Sequence, residues 1–236
     1  VRGSLIAVHA RSTIQTVNAV DTESMLRSVT AREMSPSWAG AGGGRGIHAL
    51  EAQAVAARSS MSSGDTRWGP VATTCDGGSC QAYNGVAHRA AGATKWSIHE
   101  DARTDLAVAA TVGSVRRSST GRVAATEFSA SSGGWSSGSG FPPVVDVGDA
   151  TPANPNHNWS VTLRASTIEA VFDRREGHDL GTLDGIVVEG RDRNGADGGR
   201  VTSVRARFSA AEIVVSGDTM RSLLGLRSSW FTPSSH

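Results

Sequence analysis

The chain has 236 residues, of which 38% are hydrophobic and 19% charged, a composition that predicts a folded protein with a buried core. Its 23 basic and 22 acidic residues give a net charge of +1, so charge provides no argument for binding nucleic acid. No stretch of the sequence approaches the roughly 20 consecutive apolar residues that a membrane span needs.

Short strands and two helices are predicted for the first 62 residues. Alternating apolar residues predict a strand over 5–10, and apolar residues spaced by three over 14–20 fit a strand or a helical turn, with the strand favoured. Asp21 is suited to cap a helix over about 22–31. The longest predicted helix, about 47–62, follows a glycine-rich loop and carries a narrow face of small residues.

A loop-rich segment, 63–100, separates these elements from the second half of the chain. A short helix over 105–111 is expected to end at a glycine. After it, two segments, 112–117 and 122–129, have the pattern of a β-hairpin.

Prolines concentrate in residues 141–158, which we interpret as a covering loop or a boundary. The predicted elements beyond it are a strand near 159–163, a helix near 166–173, strands near 184–192, 200–208 and 212–216, and a helical turn near 218–224. Residues 194–199 form a natural hairpin connection.

The predicted fold class is therefore α+β, with mixed helices and antiparallel strands, a helical N-terminal half and a β-rich C-terminal half. The predicted organisation is a single domain, 1–236. Its possible subdomains are 1–140, a catalytic core, and 159–236, a β-rich part, joined by the Pro-rich loop 141–158.

Glu33 is the first candidate for chemistry, because it follows a predicted helix and stands next to Met34 and near Trp38. A carboxylate beside apolar side chains can be partly desolvated, which suits a general acid near neutral pH. The alternative is a solvated glutamate at a helix end. Glu127 is a second carboxylate candidate.

Cys75 and Cys80, in the segment CDGGSC, form the second candidate. They fit a local disulfide, half of a metal site or a reduced pair, and the disulfide is favoured. A structural zinc would need about two more ligands, for which His48, His88 and His99 are the possible donors.

The third candidate is the serine-rich turn 128–134, whose hydroxyls and backbone N–H groups could bind a ligand. A plain surface turn is the alternative. Asp146 and Asp149 lie in the Pro-rich loop that follows.

Five motifs occur in an order that resembles the SpoIID/LytB domain family. The segments that carry this resemblance are Met25–Val29, Glu33–Trp38 (EMSPSW), Ala49–Ser59 (ALEAQAVAARS), Cys75–Gly85 (CDGGSCQAYNG) and Phe128–Gly134 (FSASSGG). The resemblance covers about residues 5–160. The chain departs from the family pattern at Ser35, where the family usually has proline, at Glu51, which replaces a lysine, and at Gly77 and Gly78 between the cysteines.

The resemblance implies a lytic transglycosylase that cleaves the MurNAc–GlcNAc strands of peptidoglycan, with Glu33 as the single general acid/base. It places these residues along the substrate groove: Arg58, Gln81, Tyr83, Ser129, Ser131, Ser132, Gly133 and Gly134. The alternative for the same family is a non-catalytic glycan-binding module that modulates an amidase or another wall hydrolase. A two-carboxylate hydrolase that uses Glu33 and Glu127 is a third reading.

The resemblance also implies peptidoglycan glycan strands as the partner, with other cell-wall hydrolases as further partners. No cofactor is expected, and zinc at Cys75 and Cys80 is the less favoured alternative to a disulfide. The expected location is extracellular or in the cell envelope, although the chain opens at Val1–Arg2 without an apolar signal region. Sporulation and general wall turnover are both compatible settings.

Overall fold

The computed structural model describes residues 1–10, 12–63, 69, 71–76, 80–137, 141–151 and 154–235. The chain divides into two compact units, Val1–Phe128 and Ser129–His236. The Pro-rich loop 141–158, which we expected to join two subdomains, belongs to the second unit. The proposal that both units form one domain stays a prediction.

The first unit begins with an antiparallel hairpin, in which β1 (Ser4–Ala10) pairs with β2 (Thr13–Ala19). This hairpin leads directly into α1 (Thr22–Glu33), which Asp21 caps by accepting a hydrogen bond from the Ser24 N–H at 2.9 Å. The predicted strand over 14–20 and the predicted cap are therefore confirmed.

Three helices form the core of the first unit. α2 (Ile47–Ser62) has the predicted bounds, and α3 (Ala102–Ala110) begins three residues before its predicted start. Both contact α1 and each other, because their small residues allow close approach. The buried side chains at this meeting point include Leu26, Val29, Ala54, Ala57 and Val108. A two-residue pairing of β3 (Ala87–His88) with β4 (Ser97–Ile98) precedes α3.

The hairpin predicted over 112–117 and 122–129 is wrong, since only Arg117 and Val123 form a bridge there. Two backbone hydrogen bonds flank this bridge, from the Ser118 N–H to the Arg122 carbonyl and from the Ala124 N–H to the Arg116 carbonyl, both at 2.9 Å, and other polar groups of the segment bond to α2. The Arg116 N–H donates to the Ser59 hydroxyl at 2.8 Å, and the Thr126 hydroxyl donates to the Ala56 carbonyl at 2.6 Å. Strand pairing is therefore limited to the surroundings of one bridge, and contacts with a neighbouring helix satisfy other polar groups of the segment.

The described residues of the second unit form a three-stranded antiparallel sheet and two α-helices. Its strands are β5 (Leu183–Arg191), β6 (Val201–Phe208) and β7 (Glu212–Val215), in the order β5-β6-β7. Its helices are α4 (Ala165–Glu176) and α5 (Gly217–Leu224), and both contact the sheet and each other. These bounds lie within a few residues of the predicted ones, whereas the strand predicted near 159–163 does not form.

Alternation along β6 explains why the helices cover one face of this sheet. Val204, Ala206 and Phe208 are buried and pack against Phe172 of α4 and Met220 of α5. The residue between Val204 and Ala206, Arg205, points away and forms ion pairs with Glu189 and Glu212 on the flanking strands. The α+β class is confirmed, with strands mostly in the C-terminal half. Within the described ranges, no helix combines the length and apolar character needed to cross a membrane.

Asp101 caps α3, and we expect it to contribute to the free energy of unfolding in a pH-dependent way. Its carboxylate accepts hydrogen bonds from the Arg103 guanidinium and N–H, and the guanidinium bond is the main cause that lowers the pKa of Asp101 from 3.8 to about 2. Asp101→Ala should lower the free energy of unfolding by about 1 kcal/mol near neutral pH. A group with a lowered pKa stabilises the fold above its unfolded pKa, and this contribution disappears as the pH falls toward 2.

Urea denaturation at several pH values tests this expectation. The difference between the parent and Asp101→Ala should shrink steadily below about pH 4. Asp184→Ala, at an exposed carboxylate of β5, is the matched control and should change little. A difference that stays constant down to about pH 2 would contradict the assignment.

Candidate active site

Glu33 is the last residue of α1 rather than a loop residue as we had expected. The helix ends there because Met34 adopts an extended conformation, two residues before Pro36, whose ring cannot continue a helix. Glu33 is half-buried. The Ala82 N–H donates a hydrogen bond to its Oε1 at 2.7 Å. Among the described residues, no donor bonds to Oε2, which is therefore the oxygen available for proton transfer.

Residues 80–83 hold the Ala82 N–H in place through contacts with three parts of the first unit. Gln81 Nε2 donates to the Ala57 carbonyl of α2 at 3.1 Å. The Tyr83 hydroxyl donates to Asn18 Oδ1 of β2 at 2.6 Å. Cys80, on the other side, forms a disulfide with Cys75. This finding confirms the predicted pairing, although Gly77–Ser79 between the cysteines lie outside the described residues.

Gln81 and Tyr83 are predicted substrate contacts, yet both are buried, with 5% and 8% of their surface exposed. Burial also raises the pKa of the Tyr83 hydroxyl. The Oε1 of Gln81 is buried without a hydrogen-bond donor among the described residues. The observed contacts of both side chains position the backbone beside Glu33, and their contact with substrate stays a prediction.

Arg58 is placed in the interior of the first unit, with 3% of its side chain exposed. Its guanidinium donates two hydrogen bonds to the Glu23 carboxylate, at 2.8 and 2.7 Å, and others to the Ser114 and Val108 carbonyls. The bond from Arg58 is the main cause that lowers the pKa of Glu23. Arg58 thus connects α2 with α1 and α3, and its predicted role in substrate binding remains untested.

Trp38 lies in a 3₁₀ turn, Pro36–Gly40, that directly follows the glutamate segment. Its side chain is 52% exposed, so a large part of the indole faces solvent. Gly46 allows the start of α2 to approach this turn, because a Cβ at Gly46 would lie 1.8 Å from the Trp38 carbonyl oxygen. The glycine-rich link thus has a packing function.

His88 and His99, two of the possible zinc donors, contact each other. The Nδ1 of His88 lies 2.8 Å from Nε2 of His99, and the rings are stacked. Burial is the main cause that lowers the pKa of His99. The third possible donor, His48, lies 2.9 Å from Glu51 of its own helix. In the described part of the chain, no three His, Cys, Asp or Glu residues converge as a metal site would require.

Residues 129–134 of the serine-rich turn lie in the second unit, where an aspartate organises them. Asp149 accepts hydrogen bonds from the Ser131 hydroxyl and from the Ser132 N–H, each at 2.9 Å. Arg200 donates to the Ser132 and Trp135 carbonyls at 2.6 and 2.8 Å. Ser129 donates its hydroxyl to the Ser131 carbonyl within the turn. The hydrogen bonds of these serines therefore shape the turn itself.

Gly133 and Gly134, at the end of this turn, have φ values of 71° and 100°, which favour glycine. A Cβ at Gly133 would lie 3.1 Å from the Trp230 ring, and one at Gly134 would lie 3.6 Å from the His157 ring. Sequence reasoning assigned no function to His157. A signal for it was present, because His157 lies between Asn154-Pro155 and Trp159, where the family resemblance continues.

The first unit thus presents one anchored carboxylate at a helix end, inside an α+β fold. Residues 10–117 match the family model described as SpoIID, Stage II sporulation protein. These residues, which include Glu33 and the disulfide, are similar to the SpoIID family, and this match confirms the SpoIID/LytB resemblance. A SpoIID domain is consistent with a role related to the cell wall and to sporulation. No curated protein matches the sequence.

The disulfide beside Glu33 leads to a stability prediction. It closes a short loop, with a sequence separation of 5, so removing it should lower the free energy of unfolding by about 2 kcal/mol. The variant Cys75→Ser with Cys80→Ser should therefore unfold at lower urea concentration than the parent. The parent measured in a thiol reductant is the matched comparison and should shift toward the variant. Equal midpoints for oxidised parent and variant would contradict the prediction.

Proposed function

We propose that the protein is a peptidoglycan lytic transglycosylase in which Glu33 is the single general acid/base. The observation that carries this proposal is the geometry of the Glu33 carboxylate at the end of α1. One oxygen is held by the Ala82 N–H at 2.7 Å, and the other has no donor among the described residues. This arrangement orients a carboxyl group while leaving one oxygen to exchange a proton with a ligand.

The proposed reaction needs one carboxyl group and no water. Protonated Glu33 donates its proton to the glycosidic oxygen as the bond between that oxygen and C1 of MurNAc breaks. The C6 hydroxyl of the same MurNAc then attacks C1, and Glu33 takes up the hydroxyl proton. The products are a 1,6-anhydro-muramic end and a strand ending in a free GlcNAc hydroxyl. Hydrolytic glycosidases instead normally use two carboxyl groups.

Other features of the first unit support a glycan substrate outside the cytoplasm. The exposed indole of Trp38 offers a flat surface on which a sugar ring can stack. The disulfide is typical of proteins in an oxidising compartment, which supports an extracellular or cell-envelope location. We keep Arg58, Gln81 and Tyr83 of the first unit as predicted groove residues, and the serine-rich turn of the second unit as a separate predicted glycan contact.

Mass spectrometry of digested glycan strands tests the reaction type. Both intact sacculi and strands freed of stem peptides should be used, since either could be the substrate. Products with 1,6-anhydro ends support the proposal. Reducing ends that incorporate water would indicate a hydrolase using Glu33 and Glu127. Binding without any cleavage would favour the glycan-binding module that modulates another wall hydrolase.

A further inference from the structure

A pocket of about 910 Å³ lies within the second unit, and the described residues that line it all belong to that unit. Its wall includes part of the serine-rich turn, the segment 156–163 and the segment 226–234. A volume of this size is typical of pockets that hold small molecules or short oligomers. Neither Glu33 nor any other described residue of the first unit lines this pocket.

A histidine held by a buried carboxylate faces this pocket. The His157 Nδ1 lies 2.5 Å from Asp149 Oδ2, and the side chain of Asp149 is only 5% exposed. Burial raises the pKa of Asp149, but hydrogen bonds from His157, Ser132 and Ser131 outweigh it and leave a net lowering. Asp149 is therefore ionised at neutral pH and can only accept, so Nδ1 of His157 carries a hydrogen.

The second nitrogen of His157 is the group left for a ligand. Nothing in the described part of the chain forms a hydrogen bond with its Nε2, although His157 lines the pocket. Asp149 also accepts bonds from Ser131, Ser132 and Asn154, so its orientation is fixed from several sides. A hydrogen-bonding group whose position is fixed before binding costs little to order when a ligand arrives.

Two tryptophans add flat apolar surface to the same pocket. Trp230 is locked in place, because its Nε1 donates to the Ala196 carbonyl at 3.1 Å and its ring packs next to Gly133 and Gly195. Trp159 also lines the pocket and is half-buried. Among the described residues, its indole has no hydrogen-bond partner.

The charges around the pocket indicate an uncharged ligand. The described lining residues include one aspartate and one arginine, Asp197 and Arg227, whose charges are opposite. Arg227 already donates to the Pro155 carbonyl and to Asn156. The other polar lining groups are hydroxyls, amides and His157. Aromatic faces combined with uncharged hydrogen-bonding groups are suited to a sugar ring, which has apolar faces and polar edges.

We infer that this pocket of the second unit binds a glycan, in which His157 Nε2 hydrogen-bonds to a neutral N-acetylated sugar and Trp159 stacks against its ring. The identity of the sugar rests on the proposed function, whereas the existence of a carbohydrate site rests on the pocket itself. Asp149 is the positioning residue that holds His157.

Two histidine variants separate ligand binding from a structural role. In His157→Asn the amide NH₂ can replace Nδ1 as the donor to Asp149, but the group at the Nε2 position is lost. In His157→Gln the amide reaches the Nε2 position, but the donor to Asp149 is lost. If Nε2 binds the sugar, His157→Asn should weaken binding about tenfold while leaving the midpoint of urea unfolding close to that of the parent.

The experiment is isothermal titration calorimetry of the full chain with chitotetraose, a neutral β-1,4 oligomer of GlcNAc. Trp159→Ala should also weaken binding about tenfold. His178→Ala, at an exposed histidine of the second unit, and Trp96→Ala, at an exposed tryptophan of the first unit, are the matched controls and should bind as the parent does.

Three results would overturn the inference: no binding of chitotetraose by the parent, unchanged binding by both His157→Asn and Trp159→Ala, or an equal loss in the control variants. The variant Glu33→Gln distinguishes this inference from the proposed function. It should bind chitotetraose in the second unit like the parent even if the parent cleaves no glycan. Absence of cleavage with His157-dependent binding would thus reject the transglycosylase proposal and support this site.

Discussion

Glu33→Gln should reduce the release of 1,6-anhydro products by about 10²–10⁴-fold, toward the upper end, because one residue performs both proton transfers. Gln keeps the shape of Glu and can still accept the hydrogen bond from the Ala82 N–H through its amide oxygen. It can neither donate an acidic proton to the leaving oxygen nor remove one from the C6 hydroxyl. The loss should therefore appear in the turnover rate, with folding unchanged.

Glu127→Gln is the matched control for this prediction, because Glu127 is an exposed carboxylate of the same unit. The single-carboxylate mechanism assigns it no proton transfer, so its product yield should stay close to that of the parent. The yields are measured by mass spectrometry of strands freed of stem peptides. A Glu33→Gln variant that still released anhydro products at nearly the parent rate would reject the mechanism.

Arg58→Ala should lower the free energy of unfolding by about 3 kcal/mol, the largest stability effect that we expect from the first unit. The substitution leaves Glu23 without its partner and removes donors from the Ser114 and Val108 carbonyls. The lower end of the range for buried ion pairs applies, because the Glu23 side chain is 34% exposed. Urea denaturation near neutral pH provides the measurement.

Arg103→Ala is the control for Arg58→Ala, since the Arg103 side chain is 51% exposed and bonds to the neighbouring Asp101. Surface ion pairs contribute about 0–1 kcal/mol, so this variant should lose far less stability. If the two arginine variants unfolded at the same urea concentration, the buried Arg58–Glu23 pair would contribute no more to stability than the exposed Arg103–Asp101 pair. A parent-like stability of Arg58→Ala would leave substrate binding as the better explanation for Arg58.

Local patterns predicted the helices and most strands well, because these elements depend on residues close together in sequence. The cap at Asp21, the long helix over 47–62 and the strands after residue 183 all follow from such patterns. The hairpin expected over 112–129 failed for the opposite reason. Its Arg116 N–H and its Thr126 hydroxyl bond to α2, more than fifty residues earlier, and no local pattern predicts these contacts.

In the candidate site as well, the sequence predicted candidate residues but did not predict the groups that they contact. The motif order identified Glu33 and the cysteine pair, and both occur in the SpoIID segment. The donor to Glu33, however, is a main-chain group 49 residues away, and the partner of Arg58 lies 35 residues away. The contacts of Asp149 with Ser131 and His157 could not be predicted from the sequence either, because they depend on how a coil segment folds.

Because a main-chain amide holds Glu33, the residue at position 82 can vary without losing that hydrogen bond. Every amino acid except proline supplies the same N–H group, so a substitution of Ala82 by any of them keeps the donor to Glu33. Variation at this position in related chains would therefore say little about whether the glutamate is held. A requirement to hold the glutamate should instead appear as conservation of Gln81 and Tyr83, the side chains that position the amide.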